Sequence, residues 1–301
     1  MPELPDIELY RHALRGHVVG KPLLGIRLAS PFLVRSVDPP VKSLEGKTIH
    51  DVRRLGKRLV FVFDDDLFVV LHLMISGRLR WKKAGAKIPG RMGLAAFDFE
   101  DGTLVLTEAS KKKRAALYVC RGEACVREHD PGGVEPLEVD FEGFKAALTE
   151  HNHTVKRGLT DPRIFSGIGN AYSDEILLRA RLSPLIWTQR LDDAQLKALY
   201  EATQEVLREW VDRLIAQHGD TFPDKVTAFR PEMAAHGKYG EPCPVCDDPV
   251  QRIVFADRET NYCPTCQTGG KLLADRSLSR VLKGDWPRSL EALEELKKGG
   301  R

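Results

Sequence analysis

At 301 residues the chain is long enough for two domains with cores of their own. Its 42% hydrophobic and 30% charged residues, with no apolar run long enough for a bilayer and no secretory signal, exclude a membrane-spanning chain and point to the cytoplasm. A net charge of only +3 and a pI near 8.5 say little about partners, and six cysteines are too few for a disulfide scaffold in a chain this long.

The chain opens Met1-Pro2-Glu3-Leu4-Pro5-Asp6-Ile7-Glu8. With Met1 removed, Pro2 presents a secondary amine whose ordinary pKa of roughly 8 leaves a usable neutral fraction at cellular pH. Such an amine turns an aldehyde carbon into a permanently cationic iminium, which acidifies the neighbouring carbon. Glu3 stands beside it as a candidate general acid and base. The plain alternative is a solvated tail. Against it, Pro5 stiffens the segment, and Ile7, Leu9 and Leu14 lead into a helix predicted over 7–18 and ended by Gly20.

From Leu23 to about Tyr118 the pattern alternates as strands do. Val60–Phe63, three aspartates and Leu67–Leu73 form one hairpin signal; Ala96–Glu100, Asp101-Gly102 and Thr103–Leu106 form another. The first half is therefore read as β-rich and closed by the N-terminal helix. Pro131-Gly132-Gly133 and Pro136 mark a linker. Helical periodicity follows over 141–151 and 192–218, the latter capped by Asp192 or Asp193 and stopped by Gly219. Residues 219–240 show no period.

Basic and amide-rich segments are scattered. Gly56-Lys57-Arg58 precedes a strand, and His72 sits within one, where by itself it reads as a satisfied sheet residue. Lys111-Lys112-Lys113-Arg114 follows a strand, either a solvated face or a polyanion contact. Gly167-Ile168-Gly169-Asn170 is either a simple turn or an anion site at a helix start. Cys243-x-x-Cys246 and Cys263-x-x-Cys266, sixteen residues apart, suit one tetrahedral zinc gripped by a β-hairpin. Four thiolates leave no open position, so the zinc is structural. Arg258 falls near the hairpin tip with Asp257 and Glu259, as a surface charge or as a guanidinium aimed at phosphate. Cys120 and Cys125 read as packing residues.

Pro2-Glu3-Leu4-Pro5, Gly167-x-Gly169-Asn170 and the paired Cys-x-x-Cys units, in that order, resemble the formamidopyrimidine-DNA glycosylase/endonuclease VIII family over about residues 2–266. The resemblance implies an α+β protein of two domains: an N-terminal β-sandwich with flanking helices over 1–130, then a helix–two-turn–helix domain over 138–230. A zinc finger over 236–270 and a C-terminal extension over 271–301 follow. It implies a bifunctional glycosylase and abasic-site lyase acting on double-stranded DNA that carries a damaged base or abasic site, as a monomer with one structural Zn2+, in a bacterial nucleoid. Pro2 matches the family's nucleophile and Glu3 its acid/base partner, with Lys57 and Arg258 grouped beside them on the backbone at the lesion. His72, Asn170, Lys112, Lys113 and Arg114 are the further expected DNA contacts.

The match is incomplete. Asp6 replaces a glutamate, Ile75 fills the slot of the family's stack-filling methionine, and Lys111–Arg114 lacks the phenylalanine of the family's wedge loop. An endonuclease VIII-like preference for oxidised pyrimidines therefore stands beside the expected oxidised-purine substrate. A non-catalytic damaged-DNA-binding protein is the alternative from another class. Lys283, Trp286 and Arg288 in the tail are read as DNA contacts or packing residues.

Overall fold

The computed structural model describes residues 1–255, 258–274, 287 and 289–299. Asp257, Lys283, Trp286 and Arg288 lie outside them. The chain divides into two compact units, Met1–Gly133 with Arg208–Ala228, and Val134–Leu207 with Phe229–Arg301.

The first unit begins with helix α1 (Leu4–Val18), three residues earlier than the apolar pattern predicts. The cause is a capping box: the Glu3 side chain accepts the Asp6 N–H, and the Asp6 carboxylate accepts the Glu3 N–H at 3.0 Å. Pro5 is compatible with this first turn because its missing donor would have no partner there. Gly20, at φ 80°, follows the helix end as the left-handed residue that terminates it.

Eight strands follow as two antiparallel four-stranded sheets. One runs in the order β1 (Gly25–Leu28), β6 (Gly93–Asp98), β7 (Thr103–Glu108), β5 (Gly77–Lys82). The other runs β2 (Ile49–Leu55), β3 (Arg58–Phe63), β4 (Leu67–His72), β8 (Ala116–Arg121). Both predicted hairpins are present, as β3–β4 and β6–β7. Their apolar inner faces meet as a β-sandwich: Phe61, Val69 and Leu71 from one sheet share a small apolar cavity with Phe97 and Leu104 from the other. The residues between them on β3, β4 and β8 point the opposite way. There Val60, Phe68, Val70 and Cys120 pack under Val126 of α2 (Gly122–Arg127). Cys120 and Cys125 do more than pack, as the sequence reading had it: they are joined as a disulfide with Cα atoms 5.5 Å apart.

The second unit holds α3 (Phe141–Thr149), α4 (Val155–Thr160), α5 (Asn170–Arg179) and the start of α6 (Asp193–His218). Phe144, Phe165 and Tyr200 form its aromatic centre. Helix α6 starts with reciprocal bonds between Asp192 and Gln195, so Asp192 is its cap. The unit ends with the hairpin β9 (Gln251–Phe255) and β10 (Arg258–Tyr262), then α7 (Pro264–Thr268) and α8 (Leu290–Gly299). No helix among the described residues is long and apolar enough to cross a membrane.

Candidate active site and nucleic-acid contacts

Pro2 and Glu3 are both buried, Glu3 with 4% of its surface exposed, and the capping box fixes them against the start of α1. Burial lowers the Met1 amine below its ordinary 8.0; Glu3 opposes this, while Arg78 and Lys57 reinforce it. The amine held toward its neutral form is that of Met1, two residues before the Glu3 carboxylate.

Lys57 reaches this place through a two-residue turn. β2 and β3 are joined by Gly56-Lys57, with Leu55 opposite Arg58, and Gly56 at φ 58° supplies the left-handed residue. His72 closes β4, opposite Arg58 on one side and Ala116 on the other. Burial first, then Arg58 and Lys57, bring the His72 imidazole down from 6.5 to about 4. At neutral pH it is an uncharged ring among cations. Lys57 thus bears on both the terminus and His72.

Two residues not singled out from sequence organise this region. Arg78 on β5 donates from Nε to the Val226 carbonyl at 2.5 Å and from Nη1 to the Gly77 carbonyl at 2.7 Å. Glu108, 1% exposed at the end of β7, accepts the N–H groups of Arg114 at 2.9 Å and Ala115 at 3.0 Å. Its carbonyl takes the Lys113 ammonium. Of the basic run, Lys112 and Arg114 are exposed and Lys113 is turned back onto its own loop. Ile75, in the turn between β4 and β5, is 55% exposed.

In the second unit Asn170 is the first residue of α5, after Gly169. Its amide donates to the Glu259 carbonyl at 2.7 Å, tying the helix start to the residue beside Arg258, which opens β10 opposite Phe255. Beneath it lies a polar network invisible to the sequence reading. Lys156 Nζ donates to the Asn170 carbonyl at 3.0 Å, to Ser173 Oγ at 2.9 Å and to Asp174 at 2.5 Å. The other Asp174 oxygen meets His236 Nδ1 at 2.8 Å. Glu175 accepts the backbone N–H groups of Ala234, Ala235 and His236 at 2.8–2.9 Å, and burial raises its pKa.

Cys243, Cys246, Cys263 and Cys266 bring all four sulfurs within 4.8 Å of one another. The Cys246–Cys263 and Cys243–Cys266 separations are 3.4 and 3.9 Å. Tetrahedral zinc–thiolate bonds of about 2.3 Å put sulfurs about 3.8 Å apart, so the donor set fits one structural Zn2+. The cluster packs on Leu178 of α5, with Ala235 and Val250.

Three family models match: the formamidopyrimidine-DNA glycosylase N-terminal domain over residues 1–114, its H2TH domain over 133–218, and the zinc finger found in FPG and IleRS over 240–269. The chain is 35% identical over 279 residues to a formamidopyrimidine-DNA glycosylase of Thermus thermophilus, covering 90% of this chain and 100% of that one. Among solved structures it is similar to the Lactococcus lactis Fpg in complex with abasic-site DNA, at TM-score 0.78 and 26% identity, with 88% of this chain and 99% of that one covered. The wild-type Lactococcus lactis Fpg with N7-benzyl-Fapy-dG DNA gives TM-score 0.78 at 27% identity, over 89% and 100% of the two chains.

Proposed function

We infer the function from one premise: the chain belongs to the formamidopyrimidine-DNA glycosylase family. It is a DNA glycosylase of base excision repair, and its DNA is damaged double-stranded DNA. Its finer activity is that of a bifunctional glycosylase and abasic-site lyase for oxidised bases. The observation that carries this is the buried Pro2-Glu3 pair, fixed by the capping box at the start of α1.

The damaged nucleotide leaves the stack, at a cost of a few kcal/mol that is least for damaged bases. With Met1 removed, the Pro2 nitrogen attacks C1′ as the bond to the base breaks, and the base leaves with that electron pair and takes up a proton. Glu3 protonates the sugar ring oxygen, the C1′–O bond opens, and the nitrogen's electron pair completes the iminium. The C2′ proton is then acidic. Its removal sends electrons into the iminium system and expels the 3′ phosphate; a second elimination expels the 5′ phosphate. Lys57, His72, Asn170, Arg258, Lys112, Arg114 and, once it leaves the Glu108 carbonyl, Lys113 hold phosphates in place during these steps. The neutral His72 does so as a hydrogen-bond donor and the basic side chains as cations.

The substrate is an oxidised purine of the formamidopyrimidine or 8-oxoguanine type. One observation favours oxidised pyrimidines instead: the exposed Ile75 and a Lys111–Arg114 loop without an aromatic wedge. Duplexes carrying 8-oxoguanine, formamidopyrimidine, thymine glycol or an abasic site test both points, with borohydride present to trap the iminium. Trapping and strand cleavage on purine lesions, both lost in Pro2→Gly, are expected. Binding with no adduct from protein of verified Pro2 terminus would make it a non-catalytic binder.

A further inference from the structure

The Cys120–Cys125 disulfide has no part in the chemistry above, yet it borders one of its surfaces. Arg35, Arg58, His72, Arg114, Tyr118 and His129 line a cavity of about 330 Å3. Two of these, His72 and Arg114, are already assigned to phosphate. No ion pair ties the Arg58 guanidinium among the described residues, and burial holds its pKa below the usual value. A half-buried guanidinium in no ion pair, with only a longer-range pull from Asp130, suits an anion in a cavity lined by two further arginines.

Two adjacent rungs join β8 to the segment from α2 to His129, and the upper one lines that cavity. Tyr118 and Cys120 are two residues apart on a strand, so they share a face. Cys125 and His129 are four apart, one helical turn, and the turn continues past α2: Glu128 N–H donates to the Ala124 carbonyl and His129 N–H to the Val126 carbonyl. The upper rung is the Tyr118–His129 ring pair, with centroids 4.2 Å apart. The lower rung is the disulfide. A His129 ring nitrogen and both sulfurs lie within 4.8 Å of one another. Cys120 is fully buried in the apolar cluster, whereas Cys125 is partly exposed and is the sulfur a reagent can reach.

We propose that Cys120 and Cys125 are a reversible dithiol–disulfide pair, and that the disulfide seats His129 so that the cavity holds a DNA phosphate more tightly. The proposal rests on the DNA-binding reading of His72 and Arg114. The reaction is exchange with a small-molecule disulfide. The Cys125 thiolate attacks one sulfur and releases the first thiol as the reagent's S–S bond breaks. The Cys120 thiol then gives up its proton and attacks Cys125 Sγ, releasing the second thiol. The net change is two protein thiols oxidised and one external disulfide reduced to two thiols. Reduction cuts the lower rung, leaving the upper one to ring contact alone.

The test uses the zinc-loaded protein equilibrated with reduced or oxidised glutathione. Thiols are counted by alkylation after denaturation and peptide mass, and zinc is counted alongside. Affinity is read on a duplex with an uncleavable tetrahydrofuran abasic analogue. Oxidised protein is expected to alkylate at the four zinc ligands only and to carry a Cys120–Cys125 cross-link; reduced protein alkylates at all six. The oxidised form should bind roughly threefold more tightly, the share of one phosphate contact at moderate salt. Cys125→Ser should bind like the reduced form in both buffers. His129→Gln should keep the cross-link and lose the response.

Six alkylated thiols in the oxidising buffer, or equal affinity of the two wild-type forms, would overturn the proposal and leave the repair function standing. A second zinc equivalent in reduced protein, absent from Cys125→Ser, would also overturn it by assigning Cys120, Cys125 and His129 to a metal. Absence of DNA binding in every form would remove the functional reading and the coupling with it.

Discussion

The two units treat their charged groups in opposite ways. In the second unit the carboxylates of α5 are spent inward: Asp174 is 0% exposed between Lys156 and His236, and Glu175 is filled by three backbone donors. In the first unit the singled-out groups stand at the ends of elements, Glu3 before α1, Lys57 in a turn, His72 at a strand end, and their surroundings shift the Met1 amine and His72 toward their neutral forms. One arrangement fixes a frame, and the other prepares groups for protons and electron pairs. The contrast lies in pairing and not in protonation alone, since burial also raises the pKa of Glu175 within the frame.

Zinc removal should produce the largest effect that sharpens this contrast. Structural zinc supplies folding free energy to its own module, so chelation should unfold the ribbon and release Asn170 from its bond to Glu259. DNA affinity should then fall by roughly 100-fold or more, several phosphate contacts being lost together. Unchanged affinity in metal-free protein would place the frame elsewhere.

Asp174→Ala comes next. It strands the Lys156 ammonium in a site where Lys156 is 9% exposed, and removal of one partner of a buried pair costs about 3–5 kcal/mol. Urea denaturation measures it; a loss below about 1 kcal/mol would mean the network is wetter than its burial indicates.

His72 gives a pH-dependent effect. Its folded pKa, about 4, lies below the unfolded 6.5. Between these values the unfolded chain holds the proton and the folded one does not, so stability falls as pH drops through that window and is fully present above it. The full span amounts to roughly 3–3.5 kcal/mol at most. Stability measured from pH 7 to pH 4 should show this slope, and His72→Gln should flatten it. An NMR midpoint for His72 near 6.5 would contradict the burial argument.

Lys57→Ala should be the smallest in stability, within about 0.5 kcal/mol for a turn side chain, while cleavage falls sharply. If it unfolds the protein as readily as Asp174→Ala, the distinction between frame and chemistry fails.

What was legible in the sequence was local. Pro2-Glu3, the glycines before Asn170 and the cysteine spacing each state their chemistry within a few residues, and the strand alternation follows from period two. What was not legible depends on residues far apart in sequence. Lys156, Asp174 and His236 meet across 80 positions, and charged residues on a helix read as solvated until a fold buries them. Glu108 gives no signal that its carboxylate shapes the loop at Arg114 and Ala115. Cys120 and Cys125, read as packing, meet only because a tight turn folds α2 back on β8. The early start of α1 rests on the reciprocal bonds of Glu3 and Asp6, which an apolar pattern does not report.

The most direct measurement of the central claim is the site of the trapped adduct. Protein reduced with borohydride on abasic duplex is digested and its N-terminal peptide weighed. The expected peptide begins at Pro2, without Met1, and carries the sugar remnant on the proline nitrogen. An adduct on a lysine, or a Met1-retaining protein that nicks abasic DNA at full rate, would contradict it.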